Sequence, residues 1–233
     1  MTATLLLWDI DGTLISSVPG CAEIYPRAFE RLTGRPAVHQ VDISGRTERD
    51  IMDELFRRNG LGPAPRHRLA EVLVQELRHK AAELEAVGRV LPGARETLTA
   101  LGMREGVVQS VLTGNLRANA ALKLGVFGLD ELVDQEVGAY GDDAVERAAL
   151  VAVARRRAAA VHGRVFDAGN TVLIGDTVRD VAAGRDGGAR VVAVASGTTG
   201  AAELRAAGAE SVLPDLRDTP AVIRAVWPGG GAV

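Results

Sequence analysis

The stretch Leu5-Leu6-Leu7-Trp8-Asp9-Ile10-Asp11-Gly12-Thr13 joins an apolar run to two acidic residues. The apolar run predicts a buried strand, and the Gly-Thr pair turns the chain away from it. Two carboxylates this close repel each other, and burying them without compensation is costly. A hard, oxygen-ligated cation such as Mg²⁺ is the usual compensation. The pattern therefore predicts a functional site at the C-terminal end of this strand.

Further apolar runs alternate with helical patterns along the rest of the chain. Near-continuous apolar runs are typical of strands that are covered on both faces. Their alternation with helices predicts a doubly wound, mostly parallel α/β sheet, as in Rossmann-like folds. The other predicted strands are 107–112, 171–174, 191–194, 211–213 and a short one at 131–133, and the predicted helices are 115–124, with Asn115 as its cap, 143–160, 177–183 and 199–207.

The region between residues 18 and 88 has a different character. It contains helical patterns without a convincing strand between them, and turn-rich blocks interrupt it. The sequence therefore predicts a small α-helical cap domain, 18–88, inserted into an α/β core of residues 1–17 and 89–227 and followed by a flexible tail, 228–233. The helices predicted within the insert are 22–33, 47–59 and 65–87.

Composition and charge limit the classes of function. The chain has a net charge of -3 and no long basic block, so it lacks the electrostatic footprint of a nucleic-acid-binding protein. No apolar stretch approaches transmembrane length, and Asp9 interrupts the N-terminal run, which argues against a signal peptide. A single cysteine excludes an intrachain disulfide. We expect a soluble cytoplasmic protein, and the sequence leaves its oligomeric state open.

Polar residues recur where predicted strands end, which is where α/β sheets bind ligands. The second strand runs into Thr113-Gly114-Asn115, a hydroxyl and exposed amides before a helix, which together suit an anion. A later strand ends at Asp176, and Asp180 follows about one helical turn on. Carboxylates and an anion-binding turn at one sheet edge suit metal-assisted phosphoryl chemistry, with a carboxylate as nucleophile.

Three motifs in this order resemble the haloacid dehalogenase-like hydrolase superfamily. They are Asp9-Ile10-Asp11-Gly12-Thr13-Leu14, Leu112-Thr113-Gly114-Asn115 and Gly175-Asp176-Thr177-Val178-Arg179-Asp180. The resemblance covers nearly the whole chain, and the helical insert matches the family's small cap between the first two motifs. It implies a Mg²⁺-dependent phosphatase that hydrolyses a small phosphorylated metabolite, phosphoglycolate-like or sugar-phosphate-like, through an aspartyl-phosphate intermediate.

The same resemblance assigns roles to individual residues. Asp9 resembles the nucleophile, and Asp11 resembles the general acid/base that protonates the leaving oxygen and then activates water. Thr113, with Gly114 and Asn115, would hold the phosphoryl oxygens. The metal ligands would be Asp9, the backbone carbonyl of Asp11, and Asp176, with Asp180 in that shell or just behind it.

The chain departs from the family pattern at one position, the lysine. The family places a lysine between its second and last motifs, but this chain has only Lys80, in the insert, and Lys123, which comes too soon after Thr113. Arg147 is the best-placed substitute, because it lies at a predicted helix start and guanidinium binds phosphate well. The alternative is an ordinary exposed helix arginine.

The insert contributes a second candidate for substrate binding. Ser44-Gly45-Arg46-Thr47 precedes a helix and resembles the substrate-facing loop of family caps, so Gly45 and Arg46 are candidates for contacting a substrate anion. A helix-capping turn with a solvated Arg46 fits equally well. Two other functions also remain open, a phosphomutase of the same family and a non-catalytic phosphate-binding module.

Overall fold

Five strands form one parallel sheet in the computed structural model, which describes residues 3–229. In chain order they are β1 (Thr4–Trp8), β2 (Val107–Val111), β3 (Thr171–Gly175), β4 (Arg190–Val194) and β5 (Ser211–Leu213), and across the sheet their order is β2-β1-β3-β4-β5. The predicted parallel α/β architecture is confirmed. Most of the predicted tail, residues 230–233, lies outside the described residues.

Helices cover both faces of the sheet because successive strand residues point to opposite sides. Leu6 and Trp8 of β1 face one hydrophobic cluster, and Leu5 and Leu7 face another. The first cluster includes α5 (Ala94–Gly102), α6 (Arg117–Val126) and α10 (Thr219–Val226), the second includes α7 (Arg147–His162) and α8 (Val178–Gly187), and α9 (Ala201–Ala206) packs beside β5. Within residues 3–229, no helix combines the length and the apolar character that crossing a membrane requires.

The helical insert, residues 18–88, has a hydrophobic cluster of its own. Phe29 and Phe56 meet edge to face at its centre, with ring centroids 5.0 Å apart. Leu116, at the start of α6, joins the same cluster and so links the insert to the sheet-bearing part of the chain. The insert consists of a 3-10 turn (Pro19–Glu23), α1 (Ile24–Thr33), α2 (Glu48–Arg58), α3 (Arg66–His79) and α4 (Ala81–Val87).

Two predicted elements of this organisation are wrong. Residues 131–133 are not a strand, because Asp130–Leu132 forms a 3-10 turn directly after α6. The predicted helix 65–87 is two helices, α3 and α4, which are separated at Lys80. The break lets α4 pack against α6 and the 3-10 turn at Pro19–Glu23, while the Lys80 ammonium pairs with Glu23 and Glu83.

Helix starts also differ from the prediction where side chains have other partners. The helix predicted from 143 begins at Arg147, because Asp143 instead accepts hydrogen bonds from the amide of Tyr140 and from Arg157. The predicted cap of α6 is also wrong. Leu116 occupies the cap position, and the side chain of Asn115 binds Thr113 and Asp11.

Candidate active site

The strand register brings the candidate residues to one edge of the sheet. Trp8 of β1 is level with Val111 of β2 and with Ile174 of β3, so the residues that follow all three strands leave the sheet side by side. The chain runs from β1 towards one edge of the sheet and from β3 towards the other, so a crevice lies between these two strands. Such a switch point is where parallel sheets bind ligands.

Three carboxylates meet in that crevice. Asp9, Asp176 and Asp180 each offer an oxygen within 4.8 Å of the others, and all three are buried. Burial raises the pKa of Asp9 to about 7 and that of Asp176 to about 8, and repulsion between the carboxylates adds to both shifts. Ionising both groups without added positive charge is therefore unfavourable. A group of hard oxygen donors fits a divalent cation such as Mg²⁺.

Asp9 and Asp176 each use only one carboxylate oxygen for hydrogen bonds among the described residues. Asp9 uses only Oδ1, which accepts from Arg147 at 2.7 Å, and Asp176 uses only Oδ1, which accepts from the Thr13 hydroxyl at 3.0 Å. Within residues 3–229 no hydrogen bond reaches Oδ2 of either side chain. Each of the two carboxylates therefore keeps one oxygen open to a bound ion or ligand.

Asp180 is fully engaged by protein groups. Its Oδ2 accepts from the amide and hydroxyl of Thr177, at 3.0 and 2.6 Å, in the capping box that begins α8. Its Oδ1 accepts from two nitrogens of Arg147, at 2.9 and 2.6 Å. Asp180 therefore stands behind the other two carboxylates and holds the arginine.

Arg147 is the cation of this crevice. It is the first residue of α7, and its guanidinium is buried between Asp9 and Asp180. The planar fork lets one side chain bind both carboxylates at once, which a lysine cannot do with fixed geometry. Arg147 therefore holds Asp9 Oδ1 in place and leaves Asp9 Oδ2 open.

The second acid of the first motif lies in a separate polar cluster. Asp11 receives two hydrogen bonds from Lys123 Nζ, at 2.8 and 2.7 Å, and one from the amide of Asn115 at 2.7 Å. The same Asn115 amide also donates to the hydroxyl of Thr113 at 2.8 Å. The predicted anion-binding turn and the predicted acid/base are thus parts of one hydrogen-bonded group.

The helical insert closes over this turn. A Cβ at Gly114 would lie 2.0 Å from the carbonyl oxygen of Arg46, so only glycine permits the approach. The amide of Glu48 donates to the Gly114 carbonyl at 2.8 Å. The Glu48 carboxylate is buried and accepts from the amide of Leu116 and the side chain of Asn119, on α6.

The loop of the insert that was predicted to face substrate reaches the same crevice. Gly45 has a φ of +62°, and a Cβ there would lie 2.5 Å from the hydroxyl of Thr177. Arg46 pairs with Asp50 through two hydrogen bonds, at 2.6 and 2.7 Å, and is only partly exposed. The alternative of a helix-capping turn is confirmed in part: the side chain of Thr47 caps α2. Arg46, which that alternative placed in solvent, is instead paired with Asp50.

A cavity of about 270 Å³ lies between the insert and the sheet edge. Part of its wall is apolar, including Val18, Ile24 and Ile43, and Tyr25 and Cys21 also face it. Asp180 does not line it. The predicted site residues that do are Asp9, Asp11, Gly45, Arg46, Thr113, Gly114, Asn115, Arg147 and Asp176.

Sequence reasoning missed other polar residues of this cavity. Lys123 was set aside for its position in the chain, yet its ammonium lies against Asp11. Glu48 gave no signal beyond its place in a predicted helix. A helical pattern shows which residues share a face, but the partner of that face depends on the tertiary fold. The four histidines, expected at the surface, are exposed.

Comparisons with known proteins identify the family of this chain. The sequence model of the haloacid dehalogenase-like hydrolases matches residues 3–188. A plasmid-encoded phosphoglycolate phosphatase of Cupriavidus necator is 31% identical over 225 residues, covering 96% of this chain and 94% of its own. A hydrolase structure from Pseudomonas syringae has a TM-score of 0.68 at 23% identity, with 94% and 97% of the two chains covered.

A structure from Bacteroides vulgatus, provisionally described as a β-phosphoglucomutase, has a TM-score of 0.67 at 21% identity and covers 97% of this chain and 89% of its own. At such identities the structural likeness concerns the fold. The match of the family model extends over most of the sequence. The chain belongs to the haloacid dehalogenase-like hydrolase family, as its motifs predicted, and is an enzyme of that family.

Proposed function

We propose that this protein is a Mg²⁺-dependent phosphatase that hydrolyses a small phosphorylated metabolite through an aspartyl-phosphate intermediate. The observation that carries the proposal is the free Oδ2 of Asp9. This oxygen belongs to a buried carboxylate that lines the cavity and is oriented by Arg147 through its other oxygen. A fixed carboxylate with one open oxygen suits nucleophilic attack.

In the first half of the reaction, Asp9 Oδ2 attacks phosphorus. A new P–O bond forms while the bond from phosphorus to the ester oxygen breaks, and Asp11 gives its proton to the departing oxygen. Arg147 and the Thr113–Asn115 turn stabilise the phosphoryl oxygens. In the second half, Asp11 takes a proton from water as that water attacks phosphorus, and inorganic phosphate leaves with Asp9 restored.

A bound divalent cation neutralises negative charge on the phosphate and on the carboxylates. Asp176 would hold it through its free Oδ2, with Asp9 and the backbone carbonyl of Asp11 as further ligands, while Asp9 Oδ2 stays available for the attack. Asp180 would act from behind, since both of its oxygens are engaged by Arg147 and Thr177. The raised pKa values of Asp9 and Asp176 support this assignment, because a cation would favour their ionised forms.

The size of the cavity supports a small substrate. Its volume of about 270 Å³ lies just below the range of roughly 300–1,000 Å³ typical of drug-sized ligands. The plasmid-encoded relative is a phosphoglycolate phosphatase, and we propose phosphoglycolate-like or sugar-phosphate-like esters as the substrate class. Residues 18–88 would act as a cap that opens for the substrate and closes to exclude water.

The decisive experiment measures phosphate release from a panel of small phosphate esters, with Mg²⁺ and with a chelator. We expect metal-dependent release by the wild type and none by Asp9→Asn, while Asp186→Asn, an exposed aspartate, serves as the matched control. Rapid-quench labelling should trap phosphate on the wild type but not on the Asp9 variant. No release from any ester with Mg²⁺ present would refute the proposal.

The same assay separates the phosphomutase alternative. A mutase would transfer the trapped phosphoryl group to an added sugar phosphate faster than to water. We expect water to be the main acceptor, so that the rate of phosphate release does not fall when a sugar phosphate is added.

A further inference from the structure

Lys123 is an unusual residue for the interior of this fold. It lies on α6, its side chain is 8% exposed, and it is one of only two lysines in the sequence. The apolar packing of α6 against the sheet is made by other residues, among them Ala120 and Leu124. Burying an ammonium group is unfavourable unless it is paired and hydrogen-bonded, so the packing of this helix does not explain a lysine here.

The partners of Lys123 account for all of its donors. An ammonium group has three hydrogens, and Lys123 Nζ donates to Oδ1 and Oδ2 of Asp11 and to Oδ1 of Asn115, at 2.8, 2.7 and 2.8 Å. Asn115 Nδ2 also donates to Oδ2 of Asp11, at 2.7 Å. The Asp11 carboxylate is therefore held at both oxygens by side chains that come from outside its own loop.

The two acids of the first motif are held by different cations. Arg147 fixes Asp9, and Lys123 fixes Asp11. The terminal χ2 torsion of an aspartate has no sharp energy minima, so rotamer preference alone does not fix the orientation of its carboxylate. Asp11 also lies on a turn after the strand, so its orientation depends on hydrogen bonds from other segments. A group that exchanges a proton with a reacting oxygen must lie within hydrogen-bond distance of it, so its orientation matters for the rate.

We propose that Lys123 is a positioning residue that holds the Asp11 carboxylate in the orientation from which it exchanges a proton with the ester oxygen. This inference rests on the proposed function, because it takes Asp11 as the acid. It gives the buried lysine a role separate from that of Arg147, which acts on Asp9 and the phosphoryl group. Lys123 itself does not need to touch the substrate.

The test uses the leaving group as the probe. Esters of weakly acidic alcohols need a proton on the departing oxygen, whereas phenyl phosphates with acidic phenols need little. We therefore measure kcat/KM for a series of alkyl and aryl phosphates, with the wild type, Lys123→Met, Asp11→Asn and Lys80→Met. Lys80→Met is the matched control, because it removes the other lysine, which lies in the helical insert and pairs with Glu23 and Glu83.

For Lys123→Met we expect kcat/KM to fall on the order of 100-fold for alkyl phosphates and much less for the most reactive aryl phosphates. The plot of log kcat/KM against leaving-group pKa should become steeper, as it should for Asp11→Asn. The plot for a double variant that combines Lys123→Met with Asp11→Asn should be no steeper than that for Asp11→Asn alone, because both changes impair the same step. Lys80→Met should match the wild type throughout.

An equal loss for alkyl and aryl esters, or an unchanged slope, would overturn the inference. If Lys123→Met does not fold, Lys123→Gln takes its place. Its single amide cannot reproduce the three hydrogen bonds, so its slope must also exceed that of the wild type. A wild type that releases no phosphate from any ester refutes the proposed function, whereas a steeper slope for Asp11→Asn but not for Lys123→Met refutes only the role of Lys123.

Discussion

Replacing Asp176 by asparagine is expected to stabilise the metal-free protein while abolishing its stabilisation by Mg²⁺. Asparagine has nearly the same shape, and its Oδ1 can still accept the hydrogen bond that Thr13 donates to Asp176. The substitution removes a buried negative charge from a group of three carboxylates. It also puts an amide nitrogen in place of the free Oδ2 of Asp176, which is proposed to hold the cation.

The size of the effect follows from the pKa of Asp176, which burial raises from 3.8 to about 8. A group whose pKa is higher in the folded state stabilises the fold at low pH, and that contribution disappears as pH rises from the unfolded value through the folded value. At about 1.4 kcal/mol per pKa unit, the loss is about 4 kcal/mol at pH 7. About 3 kcal/mol of it accumulates between pH 5 and pH 7.

Asparagine does not titrate, so this loss is absent from the variant. Without metal, the free energy of unfolding of Asp176→Asn, relative to wild type, should therefore increase by about 3 kcal/mol between pH 5 and pH 7. With Mg²⁺, the wild type gains stability by mass action because the ion binds the folded state. The variant should gain little.

The assay is urea unfolding followed by circular dichroism at both pH values, with a chelator and with Mg²⁺. Glu105→Gln, a change at an exposed loop position, is the control and should follow the wild type in all four conditions. If the free energy of unfolding of Asp176→Asn, relative to wild type, stays constant or falls between pH 5 and pH 7, then ionising Asp176 does not destabilise the metal-free fold and the reasoning is refuted. Full stabilisation of the variant by Mg²⁺ would refute the ligand assignment.

Three further outcomes follow from the same geometry. Arg147→Met leaves Asp9 and Asp180 without their buried cation, so urea unfolding should show a free energy of unfolding lower by about 3–5 kcal/mol. Arg147→Lys keeps the charge and should lower it less. Burial raises the pKa of Glu48 to about 7, so wild-type stability relative to Glu48→Gln should fall by about 2.5 kcal/mol as pH rises from about 5 to about 8; a constant difference would contradict this. We expect the hinges of the cap near residues 15–20 and 88–92, where the insert joins the rest of the chain, so limited proteolysis there should slow when a phosphate analogue binds with Mg²⁺; unchanged cleavage rates would argue against cap closure.

The buried aspartates Asp9 and Asp176 illustrate what local sequence can predict. Asp9 and Asp176 each follow a run of apolar residues, and parallel strands with such runs end at the same edge of a sheet. The register that places Trp8 level with Ile174, which the structure supplies, then brings the two acids together. Arg147 was predicted only as the best-placed substitute for the family lysine, and its guanidinium lies against Asp9 and Asp180.

The partners of the second acid could not be predicted in this way. Lys123 and Asp11 are 112 positions apart in the chain, and their contact depends on how α6 packs against the sheet and the insert. The same reason explains the error at Asn115, whose side chain had a local role available but bonds instead to Asp11.

The sequence by itself therefore determined the parallel sheet, the helical insert and the acidic edge, because each depends on short-range pattern and on the regular geometry of strands. Only the tertiary structure decided which cation serves which carboxylate, where the long helix of the insert breaks, and that Glu48 docks the insert onto α6. These contacts join segments that are remote in the chain. Side-chain reach and the packing of one segment on another select them, and no local periodicity encodes either.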